Sequence, residues 1–82
     1  MRIILSKDAQ RQYNRLPKSE QRKIFKKLLG LENNPYSGKK LTGEFEGLWT
    51  IRAWPYRILY EVNIKNKRVE IHKIAHRQAA YK

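Results

Sequence analysis

The spacing of apolar residues changes about halfway along the chain. In residues 6–16 and 18–33, apolar side chains recur every three or four positions, which is the spacing of one helix face. In residues 48–54 and 56–64, apolar and polar residues alternate, as they do in half-buried strands. The pattern therefore predicts a helical half followed by a sheet.

The two predicted helices have clear ends. The first begins at Ser6, a favourable N-cap residue, and stops at Pro17; its apolar face carries Ala9, Tyr13 and Leu16. The second has an apolar stripe, widened on one side, that consists of Ile24, Phe25, Leu28, Leu29 and Leu31. Pro35 ends it, because a proline disfavours the helical conformation of the residue before it. The short junction predicts that the helices fold back as a hairpin.

The remaining segments predict an α+β fold in two layers. Residues 2–5 form an N-terminal strand, and residues 48–54, 56–64 and 68–74 form a three-stranded antiparallel meander. Residues 34–47, with three glycines and a proline, are expected to be a loop, and the polar tail is expected to be irregular or a short helix. One sheet face packs on the helical hairpin and the other stays open. Residues 1–82 are one domain.

The alternation in the sheet brings two arginines together. If Ala53 faces Tyr56, three apolar pairs lie on one face, and Arg52 faces Arg57 on the other. Like charges in such a pair destabilise a sheet by about 0.2–1 kcal/mol, and an anion lying across both reverses the effect. Long arginine side chains can instead splay into water, so spacing alone leaves both interpretations open. A wide loop is expected at Trp54-Pro55, because proline cannot adopt the positive φ of common two-residue turns.

Charge adds a preference for anionic partners. The chain has 19 Lys and Arg residues against 7 Asp and Glu residues, a formal net charge of +12, and a pI of about 10.3. A domain this basic is typical of nucleic-acid binders, because neutralised phosphates release counterions. An acidic protein partner fits equally, and a merely solvated basic surface is the simplest alternative.

Several classes of function are disfavoured. The chain has no cysteine and two histidines, so we expect no disulfide, no metal site and no cofactor. Residues 1–10 turn polar after three consecutive apolar residues, which is unlike a signal peptide or a membrane span. We therefore expect a cytoplasmic protein that has no membrane partner.

Among the remaining polar residues, His76 is a candidate acid or base. It follows the last predicted strand, and histidine is the side chain that titrates nearest neutrality. His72 is expected on the open sheet face, where a structural or solvated role is the more common one. Glu44 and Glu46 are expected to be solvated in the loop.

The segments LTG, GLWTIRAWPYRILYEV and VEIHKIAHRQAAY, taken in order, resemble the RelE/ParE superfamily of bacterial and archaeal toxins. The resemblance covers nearly the whole chain and implies a RelE-like (microbial RNase-like) fold. The ending AHRQAAYK is similar to the RelE-like branch, whose members cleave messenger RNA, typically in the ribosomal A site. The ParE-like branch instead poisons DNA gyrase, and a degenerate toxin that retains only antitoxin binding is a third possibility.

The resemblance also implies roles for individual residues. Arg57 and Arg77 would bind the scissile phosphate and stabilise the transition state, and Arg52 stands at a basic position of the family. Tyr81 would stack on or orient a nucleotide. Additional RNA contacts are predicted for Lys39, Lys40 and Lys73.

Two positions depart from the family pattern. Thr50 stands where some RelE-like enzymes have a lysine, and Lys39 stands where another branch has a loop glutamate that acts as general base.

Partners follow from the same resemblance. Toxins of this family are neutralised by a cognate acidic antitoxin, and the complex commonly binds operator DNA. The other expected partners are messenger RNA and a ribosome of the 70S type. Four basic residues of the second helix are predicted to bind either the antitoxin or ribosomal RNA: Arg22, Lys23, Lys26 and Lys27.

Overall fold

A computed structural model describes residues 1–76 and confirms the α+β fold. The elements, in chain order, are β1 (Arg2–Leu5), α1 (Lys7–Arg15), α2 (Lys18–Asn33), β2 (Lys39–Lys40), a 3₁₀ turn (Gly43–Phe45), β3 (Trp49–Ala53), β4 (Tyr56–Asn63) and β5 (Arg68–His76). Neither α-helix in this part of the chain is long and apolar enough to cross a membrane.

The strands form one five-stranded sheet in the order β1-β5-β4-β3-β2. Its centre is the predicted meander, in which β3 pairs with β4 and β4 with β5, both antiparallel. The N-terminal strand β1 joins the sheet in parallel with β5, beginning with Arg2 opposite Arg68. The two-residue strand β2 covers the other edge, where Lys39 lies opposite Thr50.

Side chains of α1 attach that helix to β5. Ser6 is the N-cap: its hydroxyl accepts a hydrogen bond from the Ala9 N–H at 3.0 Å and donates to the His72 carbonyl at 2.9 Å. Further along, the Gln12 side-chain oxygen accepts from the Ile74 N–H at 2.7 Å. The helix thereby satisfies backbone groups of β5 that lie beyond the end of β1.

The core lies between the helices and one sheet face. Its buried members include the predicted residues Ala9, Ile24, Leu28 and Leu31 from the helices, and Ala53, Ile58, Tyr60, Val69 and Ile71 from the sheet. Two predicted helix positions are not buried: Phe25 is 52% exposed and Leu29 is 46% exposed. The apolar stripe is wider than the surface that the sheet covers.

Three local predictions were wrong. Trp54 and Pro55 form a two-residue connection rather than a wide loop, since Ala53 lies directly opposite Tyr56; the Trp54–Pro55 peptide bond is cis. Part of the predicted loop 34–47 pairs with β3 as β2. The last strand continues to His76, two residues beyond the predicted 68–74, and a bulge interrupts its pairing between Leu59 and Tyr60 of β4.

Candidate functional site

The predicted arginine pair forms the centre of the candidate site. Arg52 lies directly opposite Arg57, and Ala53 opposite Tyr56, as the alternation predicts. Arg52 is exposed and Arg57 half-buried, and both line an open cavity of about 420 Å³ together with Lys39. Three cationic side chains thus border one concave surface on the sheet face that the helices leave open.

A second row of residues crosses the same face. Lys39 on β2 lies opposite Thr50 on β3, which lies opposite Leu59 on β4 and then Lys73 on β5. The predicted RNA contacts Lys39 and Lys73 therefore share the open face with the arginine pair, at the two ends of one row. Thr50, which lies in this row and lines the cavity, has a hydroxyl that is buried with no hydrogen-bond partner among residues 1–76.

Gly38 and Tyr60 hold this side of the cavity. The Tyr60 hydroxyl donates to the Pro35 carbonyl at 2.9 Å and accepts from the Gly38 N–H at 3.2 Å. A Cβ atom on Gly38 would lie 2.4 Å from that hydroxyl and 2.6 Å from the Thr50 carbonyl oxygen, so glycine is required here. Burial raises the pKa of Tyr60 above its usual 10.0, and the Gly38 hydrogen bond lowers it in part.

Other predicted site residues lie elsewhere. His76 is opposite Tyr56, and the two rings make an edge contact at 5.9 Å between centroids. Because Tyr56 packs against the core, the alternation directs His76 to the helix side of the sheet, away from the arginine pair. Lys40 is opposite Trp49 and likewise alternates away from the cavity. Arg77 and Tyr81 fall outside the described residues.

The basic residues of α2 divide into two groups. Arg22 lies beside Tyr13 and Phe25, towards α1. Lys23 and Lys27 lie beside Trp54, at the end of the β3–β4 hairpin. Lys26 borders both depressions.

One group of side chains has metal-ligating atoms close together. Atoms of Glu61, Glu70 and His72 lie within 4.8 Å of one another. The His72 Nε2 is 3.1 Å from the Glu61 carboxylate, and the Arg68 Nε donates to the Glu70 carboxylate at 2.9 Å. The carboxylates already have cationic or polar partners, so the group is complete as a polar network.

Sequence reasoning missed three residues of this region. The contacts of Gly38 and Tyr60 join positions 22 residues apart, and no local pattern indicates which tyrosine meets which glycine. The sequence pattern predicts Trp54 only as part of a turn, yet 59% of it is exposed. The position of a tryptophan between two adjacent strands could have indicated this exposure, because a side chain in such a turn has few core residues to pack against.

Comparison with known proteins places this geometry in a family. A family model described as the ParE toxin of type II toxin–antitoxin systems, parDE, matches residues 3–81. The chain belongs to the RelE/ParE superfamily of type II toxins. The toxin is 35% identical over 82 residues to Toxin RelE of Mycobacterium tuberculosis, a match that covers 98% of this chain and 84% of the relative.

Solved structures agree with that assignment. The toxin superposes on a chain of the RelBE2 toxin–antitoxin complex of M. tuberculosis with a TM-score of 0.84 at 25% identity, covering 92% of this chain and 95% of that one. For the RelE–RelB complex of Pyrococcus horikoshii the TM-score is 0.77 at 28% identity, covering 96% and 97%. The isolated E. coli RelE toxin, at 19% identity and a TM-score of 0.80, covering 92% of this chain and 82% of that one, shares the fold.

Proposed function

We propose that this toxin is a metal-independent endoribonuclease that cleaves messenger RNA in the ribosomal A site and so inhibits translation. The observation that carries the proposal is the pairing of Arg52 with Arg57 at one cavity beside Lys39. A guanidinium group matches phosphate oxygens with two parallel hydrogen bonds, which makes arginine well suited to a phosphate site. The similarity to Toxin RelE supports the same conclusion.

In the proposed reaction the RNA supplies its own nucleophile. A ribose 2′-oxygen attacks the adjacent phosphorus, and the bond from phosphorus to the 5′-oxygen of the next nucleotide breaks. The products are a 2′,3′-cyclic phosphate and a 5′-hydroxyl; one proton leaves the 2′-hydroxyl and one reaches the 5′-oxygen. Negative charge that accumulates on the phosphoryl oxygens is stabilised by the guanidinium groups of Arg52, Arg57 and Arg77.

Proton transfer in this scheme has several candidate groups. His76 and Tyr81 remain candidates in the final segment of the chain. His76 lies at the end of β5 on the helix side of the sheet, so a role for it requires the RNA to pass around that end. Lys39 borders the cavity directly. We propose that Lys39 and Lys73 bind phosphates flanking the cut, and Lys40 a phosphate further along the strand.

Cleavage is testable with translating ribosomes. The wild-type toxin is added to ribosomes that carry a defined message, and the new RNA ends are mapped. We expect cuts at A-site codons with 5′-hydroxyl ends, and loss of cutting in the Arg57→Ala/Arg77→Ala double variant with folding unchanged by circular dichroism. Arg68→Ala, on the same sheet face but at the polar network of Glu70, is the matched control and should cut normally.

A gyrase inhibitor is the second candidate, because the family model that matches the chain is described as a ParE toxin. It predicts intact messages together with a fall in gyrase supercoiling activity. A degenerate toxin predicts neither effect while antitoxin binding persists. The three proposals are therefore separated by measuring both activities on the same preparation.

We further propose that an acidic antitoxin binds the groove between α1, α2 and β1. Its lining includes the exposed side chains Phe25 and Leu29, and it runs beside Arg22. RelE is bound to RelB in the P. horikoshii structure, which supports a protein partner. Phe25→Asp should prevent neutralisation by the cognate antitoxin, whereas Ile64→Asp, on the β4–β5 turn and 67% exposed compared with 52% for Phe25, should not. Binding of operator DNA by the complex stays a prediction.

A further inference from the structure

The end of the β3–β4 hairpin carries an exposed aromatic ring beside a row of lysines. Trp54 is 59% exposed and, with Ala53, borders a depression whose other wall is formed by Lys23, Lys26 and Lys27 of α2. These lysines are at positions i, i+3 and i+4, so they lie on one side of the helix. An indole ring is thus presented next to three ammonium groups.

The charges of this depression are largely uncompensated. Lys23 makes an ion pair with Glu20 at 2.9 Å. Lys26 and Lys27 are exposed and make no ion pair with any of residues 1–76. Two lysines therefore remain available to an anion that approaches the tryptophan.

The depression adjoins the arginine cavity through the turn itself. Arg52 and Arg57 are the residues on either side of Ala53, Trp54, Pro55 and Tyr56, and strand geometry puts the Cα atoms of Arg52 and Trp54 about 7 Å apart. A flexible strand that leaves the arginine cavity at this end of the sheet meets Trp54 next. The arginine cavity is on the open face and the depression is on the helix side, so a strand that occupies both passes around the hairpin end.

We propose that Trp54, Lys26 and Lys27 bind one unpaired nucleotide adjacent to the cleaved phosphate, an inference that rests on the proposed ribonuclease function. The base stacks on the indole ring, and the lysines bind the flanking phosphates. A basic groove combined with an aromatic platform is the usual way to bind single-stranded nucleic acid, because every base has a stacking face. An acidic protein segment bound to the same lysines is the alternative that the binding test distinguishes.

Binding of a non-cleavable strand tests the inference apart from catalysis. The probes are a short single-stranded 2′-O-methyl RNA and an abasic strand of equal length, which has the phosphates but no bases. We expect Trp54→Ala to weaken binding of the base-containing strand about tenfold and of the abasic strand hardly at all. Trp54→Phe should retain most of the binding, and Ile64→Ala, an exposed apolar control, should retain all of it.

Two further readouts separate stacking from charge. In a Trp49→Phe variant Trp54 is the sole tryptophan, and its fluorescence should fall with the base-containing strand and stay constant with the abasic one. Replacing Lys26 and Lys27 by glutamine should reduce the slope of log K against log salt by about 1.4, because each lost phosphate contact contributes about 0.7 on a single strand. Thermal unfolding of each variant shows that it is folded.

The possible results are distinct. Equal weakening of both strands by Trp54→Ala, or unchanged binding by it, overturns the inference; so does absence of wild-type binding to the base-containing strand. Quenching of Trp54 by poly-glutamate but not by RNA also overturns it, in favour of an acidic protein at this surface. Each of these results is compatible with cleavage of messages on ribosomes, so the inference can fail while the proposed function stands. If the strand stacks on Trp54 but messages are not cleaved, the proposed function fails and the nucleotide site stands.

Discussion

Besides Arg2 opposite Arg68, the open sheet face of residues 1–76 carries two cross-strand pairs of like charge, and the surroundings of these two differ. At one end Arg52 faces Arg57; at the other Glu61 faces Glu70. Each carboxylate of the acidic pair has a side-chain partner within the chain, since Arg68 binds Glu70 and His72 contacts Glu61. Arg52 has no ion pair within residues 1–76. Identical strand geometry thus produces a closed network at one end and a surface that attracts anions at the other.

The two ends also differ in what supports them. The arginine end borders the loop held by Gly38 and Tyr60, next to the buried Thr50 hydroxyl. The acidic end is joined by salt bridges whose side chains are partly exposed, Arg68 by 41% and Glu70 by 26%. Since partly exposed ion pairs contribute about 0–1 kcal/mol, we expect substitutions at the arginine end to matter more.

Replacing Arg57 should have the largest effect of the four substitutions considered. Loss of one fixed charge-stabilising group at a transition state reduces rates by about 10²–10³-fold, so Arg57→Ala should slow single-turnover cleavage of ribosome-bound message to that degree. Arg68→Ala, at the acidic end, should slow it less than about threefold. Equal losses in both variants would show that the two ends do not differ in function.

Filling the space at Gly38 should have the next largest effect. In Gly38→Ala the new methyl group meets the Tyr60 hydroxyl and the Thr50 backbone, so the free energy of unfolding should fall by about 1–3 kcal/mol, as measured by denaturant titration. Cleavage should fall as well, because Lys39 is displaced. Gly30→Ala is the matched control: nothing lies within 4 Å of the new atom on α2, and alanine should stabilise the helix by up to about 1 kcal/mol. A stable Gly38→Ala would refute a packed support at the arginine end.

The Tyr60 hydroxyl should make stability depend on alkaline pH. Burial raises its pKa in the folded state above 10.0, so the folded protein holds this proton more tightly than the unfolded chain. Its contribution is therefore present below pH 10 and is lost as the pH rises through the folded-state pKa. Tyr60→Phe should lower the free energy of unfolding by about 1–3 kcal/mol at neutral pH and flatten its decline above pH 10. Parallel curves for the two proteins would contradict this.

The sequence predicted the arginine pair but not its support. Alternation has a period of two, so a single correct apolar pair, Ala53 with Tyr56, determined that Arg52 faces Arg57. The apolar stripe of α2 was likewise readable from local spacing. The buried face of an element with a long apolar pattern is predictable, because many residues of the pattern indicate the same face.

What could not be predicted depends on contacts between distant residues. The pairing of β1 with β5 joins positions 66 apart, and two lysines carry no strand signal of their own, so local spacing predicts a loop where β2 lies. The bulge opposite Leu59 and Tyr60 reverses the alternation within β5, which is why Ile74 is buried although its spacing matches that of Glu70. Beyond that bulge, the predicted face of any residue on β5 is reversed, and His76 is directed away from the arginines.

Removing one negative charge from the acidic end should have the smallest effect on stability and cleavage, and it tests directly whether the two ends differ. Glu70→Gln removes the ion pair with Arg68 but also the repulsion by Glu61, and two opposing terms each below about 1 kcal/mol should leave the free energy of unfolding within about 0.5 kcal/mol of wild type. Cleavage should be unchanged, and binding of single-stranded RNA should strengthen slightly as the net charge becomes more positive. If chemical denaturation showed that the free energy of unfolding falls by more than about 2 kcal/mol, the four side chains of the acidic end would form one cooperative network: Glu61, Glu70, His72 and Arg68. The acidic end would then be as structurally organised as the arginine end.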